Sequence, residues 1–122
     1  MARVALLCPD LLFGSKVEGA LEAAGHEVSR VDRDDAARAE AARSDILVVD
    51  LTADEYDGAM LIDSMKMGRE LEGVPTLGFY AHVDQEVRRG AEAAGFDRVV
   101  PRSRMAREAA ALVDGLLTPA AE

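Results

Sequence analysis

The feature that most constrains the fold is an alternation. Short aliphatic runs at residues 4–7, 27–31, 46–49, 76–79 and 98–100 are separated by longer Ala-rich segments at 12–24, 35–43, 58–71, 85–94 and 105–117. In the longer segments the apolar positions recur every three or four residues, the period of a helix with one buried face. Strands that alternate with helices build βαβ units, whose right-handed crossovers place the strands parallel in one sheet. Five such units predict an α/β three-layer doubly wound sandwich, flavodoxin-like, with a five-stranded parallel sheet in the order 2-1-3-4-5. The runs at 4–7 and 46–49 are apolar throughout, as in strands covered on both faces, whereas Glu27, Ser29 and Arg30 make the second run an edge. Gly25 and Gly95 each follow an Ala-Ala pair and are placed to end a helix in the left-handed conformation. The 122 residues read as one domain, with 118–122 a frayed tail around Pro119.

Sheets of this kind carry their sites at the carboxyl ends of the strands. There the sequence sets Cys8, Pro9 and Asp10, then Asp32, Asp34 and Asp35, then Asp50 through Asp57, then Tyr80 through Asp84, and finally Pro101 through Arg104. Fourteen Lys and Arg against 23 Asp and Glu give a net charge of −9, which repels phosphate backbones and anionic lipid. Nucleic acid and membrane surfaces are therefore excluded as partners. No apolar run approaches the ~20 residues of a membrane helix, and a lone Cys8 with no leader-like beginning points to the cytoplasm. Gly14-Ser15-Lys16 lacks the spacing of a phosphate loop. His82 and Asp84 are too few for a zinc site while His26 lies at the start of the second strand. Cys8 reads as a small buried apolar group rather than a nucleophile, and Met60, Met65 and Met67 read as core packing on the third helix.

The third strand and its loop run Asp45-Ile-Leu-Val-Val-Asp50-Leu-Thr-Ala-Asp-Glu-Tyr-Asp57-Gly58. Together with Val74-Pro75, Ala81, Ala94-Gly95 and Asp97 at ungapped spacing, this resembles the response-regulator receiver domains of two-component and phosphorelay signalling, over nearly the whole chain. The resemblance implies that Asp50 stands at the phosphoacceptor position. It also implies an acidic pair for magnesium after the first strand, a hydroxyl residue ending the fourth, and a lysine ending the fifth. Those positions hold Cys8 and Pro9, Tyr80, and Arg102, and the aromatic that usually precedes the lysine by three residues is Val99. Magnesium requires several hard oxygen ligands, and Asp10 is the one nearby substitute. The chain thus resembles a degenerate, pseudo-receiver variant, in which Arg102 is expected to bridge Asp50 directly.

The leading expectation is a stand-alone signalling module that acts by protein contact, without a cofactor, without enzymatic activity and without phosphorylation at Asp50. An alternative is an active single-domain response regulator, phosphorylated on Asp50 with Mg2+ held by Asp10 and Asp50. A second is a small-anion or metabolite site in which Lys16, His82, Arg102, Ser103 and Arg104 gather at one edge. The bland reading of the same residues makes Asp84 and Ser103 helix N-caps and Asp50 a satisfied buried carboxylate. The family's usual output surface corresponds here to the fourth helix, fifth strand and fifth helix, which carry Arg88, Arg89, Arg98, Arg104 and Arg107. It is the expected partner face, and Leu112, Leu116 and Leu117 would permit a homodimer through it.

Overall fold

A computed structural model describes residues 1–118; the expected tail beyond Thr118 lies outside the described residues. The strands are β1 (Arg3–Leu7), β2 (Glu27–Val31), β3 (Ile46–Asp50), β4 (Thr76–Tyr80) and β5 (Arg98–Pro101), and the helices α1 (Leu11–Ala23), α2 (Asp34–Ala41), α3 (Gly58–Met67), α4 (Gln85–Ala94) and α5 (Arg102–Leu117). All pairings are parallel and the order is β2-β1-β3-β4-β5, as the alternation predicts. The polar second strand is indeed an edge. No helix among the described residues is long and apolar enough to cross a membrane.

Side-chain alternation along each strand divides the interior into two layers. Val4, Leu6, Ile46, Val48, Leu77 and Phe79 point toward α1 and α5, where Val17, Leu21, Met105 and Leu112 meet them. Ala5, Leu7, Leu47 and Val49 face α2, α3 and α4, and meet Ala37, Ile62, Met65 and Ala91. Every residue of β3 and β4 is buried, and at about 1.5–3 kcal/mol for each large apolar side chain removed from water these two strands anchor the sheet. They also fix where their carboxyl ends emerge.

Several element ends differ from the sequence reading. The third helix stops at Met67 instead of 71, because Gly68 caps it, Arg69 takes a left-handed φ of 58°, and Leu71 turns back to become buried. Met65 enters the core, but Met60 and Met67 are 69% and 81% exposed, so the methionines are not one packed cluster. Gly25 and Gly95 do adopt positive φ, at 94° and 110°. The fifth helix starts at Arg102, with Pro101 at its N-cap and non-helical angles at Glu108. Ser103 consequently lies within the first turn and is not the cap. Asp84 does cap α4, accepting from Val87 N–H at 3.2 Å. Thr118 is tied down, its N–H and hydroxyl both donating to the Asp114 carbonyl.

Candidate functional site

The carboxyl ends of β1 and β3 lie side by side, and the loop after each one converges on Asp50. Asp50 is 1% exposed. Its Oδ1 accepts from the Thr52 N–H at 2.8 Å and the Thr52 hydroxyl at 2.6 Å, an Asx-turn that folds the β3–α3 loop back on the strand. Its Oδ2 accepts from the Cys8 thiol at 3.5 Å. The Tyr56 hydroxyl then closes the loop, donating to the Asp50 carbonyl at 2.7 Å and standing 3.3 Å from that of Leu7, so one side chain joins both strand ends. Burial, reinforced by the Asp50 charge, pushes the Cys8 thiol up to about 12 and the Tyr56 phenol upward as well. Both are donors that keep their protons at neutral pH.

Arg102 is placed otherwise than the sequence reading expects. Its Nη2 donates to Asp10 Oδ2 at 2.8 Å, and its guanidinium lies 4.2 Å above the Phe13 ring, which in turn rests 5.1 Å from Phe79. The expected Arg102–Asp50 bridge is therefore replaced by an Arg102–Asp10 bridge. The physical reason is local: Asp10 caps α1 by accepting from Phe13 N–H at 2.9 Å, which brings Phe13 and a fixed carboxylate to where the guanidinium can stack and pair at once. The Phe13 N–H, and secondarily Arg102, hold the Asp10 carboxyl below the usual aspartate range. Asp50 forms no ion pair among the described residues.

A groove of about 420 Å³ runs over this site, lined by Pro9, Asp10, Asp50, Thr52, Asp54 and Arg102 among others. Tyr80 is buried at the end of β4 and does not line it. Neither do Lys16, His82 and Ser103, all exposed, nor Arg104, which pairs with Glu108 on its own helix at 3.4 Å. Of the residues grouped as an anion site, only Arg102 reaches the groove.

The donor set does not fit magnesium. Both Asp10 oxygens are committed, to the α1 cap and to Arg102, while a thiol and Pro9 occupy the neighbouring positions. A hard cation that wants near-octahedral oxygen would find one Asp50 oxygen taken by Thr52 and the other facing that thiol, with Asp54 and Glu55 of the following loop as the remaining carboxylates of the groove. Among the described residues no three His, Cys, Asp or Glu side chains are arranged to share a metal.

Sequence reasoning missed Thr52 and Tyr56, the residues that hold Asp50. Asp-Leu-Thr at a strand end was the available signal, since a carboxylate two residues before a hydroxyl favours an Asx-turn. It also missed His26, which is 9% exposed at the opposite end of the sheet, where its Nε2 bonds Asp114 Oδ1 at 2.7 Å and its Nδ1 accepts from Ala2 N–H at 3.2 Å. No sequence signal joins residues so far apart.

No family model matches the chain, and no curated protein matches it by sequence. Solved structures do match by shape. A chain described as a response regulator from Chloroflexus aurantiacus J-10-fl superposes with a TM-score of 0.85 at 20% identity, over 95% of this chain and 97% of that one. The receiver domain of sensor histidine kinase PA1611 from Pseudomonas aeruginosa PAO1, with magnesium coordinated in its active site cleft, gives 0.83 at 18% identity over 95% and 97%. The chemotaxis protein CheY4 of Vibrio cholerae gives 0.82 at 18% identity over 96% and 99%. The chain has the receiver fold.

Proposed function

We propose that this chain is a receiver-type signalling module that works through protein contact, with Asp50 serving as a structural carboxylate and not as a phosphoacceptor. The observation that carries the reading is the Arg102–Asp10 bridge. In one contact it takes from Asp50 the one basic side chain that lines the groove among the described residues, and it commits the Asp10 carboxylate that stands where the first strand ends. Phosphoryl transfer is catalysed by positioning and charge neutralisation, and both are lacking where a carboxylate is flanked by a neutral thiol and a threonine hydroxyl.

The partner face is the one formed by α4, β5 and α5. Arg88, Arg104 and Arg107 are drawn into pairs with Glu92 and Glu108, at 3.4–3.8 Å, whereas Arg89 and Arg98 are exposed and have no acidic partner among the described residues. Two unpaired guanidinium groups on an acidic protein suit an acidic partner surface.

The test combines chemistry and binding. Incubation with acetyl phosphate and magnesium, followed by intact-mass measurement, is expected to add no phosphoryl group. Amide NMR with magnesium and then beryllofluoride is expected to show no saturable shifts around Asp10, Asp50 and Arg102. A mass gain that disappears in Asp50→Asn would overturn the reading and make the chain an active regulator.

A further inference from the structure

Beyond the Asp50 groove and the arginine face, a second groove of about 450 Å³ opens between the amino-terminal halves of α3 and α4. Its floor is apolar: Leu51, Ala59, Ala81 and Val87, with Gly90 leaving a gap in the α4 wall. A Cβ built on Gly90 meets nothing within 4 Å, so this helix presents backbone and open space where a side chain would fill the groove. Leu51 is held in place by two further glycines, since a Cβ at Gly58 or at Gly78 would stand 2.6 Å or 2.8 Å from it. Met60 and Val83, each next in sequence to a lining residue, are exposed at 69% and 80%.

The rim is acidic. Asp54, Asp57 and Asp84 line it, and none of them is paired with a Lys, Arg or His among the described residues. Asp57 and Asp84 cap α3 and α4, so the positive ends of two helix dipoles offset part of this charge. At about half a charge for each helix end, the rim keeps a net charge of roughly −2. An apolar floor within a negative rim fits one chemistry well: an apolar side chain flanked by Lys or Arg.

We propose that the α3–α4 groove docks a partner protein segment whose apolar anchor is bracketed by basic residues. The inference rests on the protein-contact reading and names the groove on the α3 side of α4, which adjoins the arginine face at that helix. The groove also has a physical connection to Asp50. Thr52 and Tyr56 line it, and these are the residues that bond the Asp50 carboxylate and carbonyl. Asp50 thereby shapes the loop that forms one wall of the dock.

The experiment is selection from a random peptide display library against the full chain, with the selected peptides then measured on variants. Gly90→Leu fills the gap, and because it replaces a mid-helix glycine by a strong helix former it favours the fold. Asp54→Lys reverses the exposed rim charge, and Arg89→Glu probes the other face. Expected are peptides with Leu, Met or Phe beside Lys or Arg, which lose about tenfold or more in affinity on Gly90→Leu, weaken on Asp54→Lys and are unchanged by Arg89→Glu. No enrichment, or binding indifferent to Gly90→Leu, overturns the groove. Acidic peptides that depend on Arg89 overturn it too, while leaving the protein-contact reading intact; phosphoryl uptake by Asp50 would do the reverse.

Discussion

Replacing Arg102 by Met keeps an unbranched stem over Phe13 and removes the guanidinium, and the size of the loss decides which carboxylate Arg102 serves. If Arg102 neutralised Asp50, the change would strand a charge that is 1% exposed, and breaking a buried pair in this way costs about 3–5 kcal/mol. In the structure Arg102 instead pairs with Asp10 where both side chains are more than a third exposed. The cation–π stack on Phe13 contributes about 0.5–1 kcal/mol, and an ion pair screened by solvent adds little. The expected loss is thus close to 1 kcal/mol. Urea unfolding of wild type and variant with a common slope measures it directly. A cycle with Asp50→Asn should be additive within about 0.5 kcal/mol, and the small coupling of the screened ion pair should appear only in a cycle with Asp10→Asn, which keeps the cap. Because the Asp10 carboxyl is held below its unfolded value, its contribution is present above the unfolded pKa and lost as pH falls through the folded one, so in acid the gap between wild type and Arg102→Met should narrow by the small ion-pair part and keep the part due to stacking on Phe13. A loss above about 3 kcal/mol, or coupling between Arg102 and Asp50, would refute the placement of the arginine.

Other consequences follow from the same geometry. Thr52→Val deletes a hydroxyl 2.6 Å from a buried carboxylate and should destabilise by about 1.5–3 kcal/mol, less in an Asp50→Asn background, as read by urea midpoints. Cys8, with its pKa pushed from 9.0 to about 12, should resist iodoacetamide at neutral pH until the chain is unfolded. A thiol whose folded pKa is raised stabilises fully below the unfolded value and loses that contribution as pH rises toward the folded one, so stability should decline between about pH 9 and 12, and less steeply in Cys8→Ala. His26→Phe keeps a buried ring but leaves the part-buried Ala2 N–H without its acceptor, while the exposed Asp114 carboxylate returns to water, which should cost about 1 kcal/mol and accelerate hydrogen exchange where β1 begins.

The fold was legible because it depends on period and punctuation. Short aliphatic runs bounded by helical segments read as strands covered on both faces, the polar second run reads as an edge, and Gly25 and Gly95 stop helices because their positive φ is open to glycine. These are local properties, decided within a few residues of chain. The position of Asp50 at the end of β3 was legible for the same reason. Which group answers it was not. Asp10 and Asp50 sit at the ends of adjacent strands, and a single arginine 92 residues from Asp10 in sequence serves one and not the other because the α1 cap sets Phe13 beneath the guanidinium. The Cys8 and Thr52 bonds, the Tyr56 tie across two strand ends and the His26 tie across the far end of the sheet have the same character. Sequence alone determined the framework and which residues stand at each strand end; tertiary structure decided the pairing of charges, because hydrogen-bond partners are chosen by ångström distances between elements that the chain order does not encode.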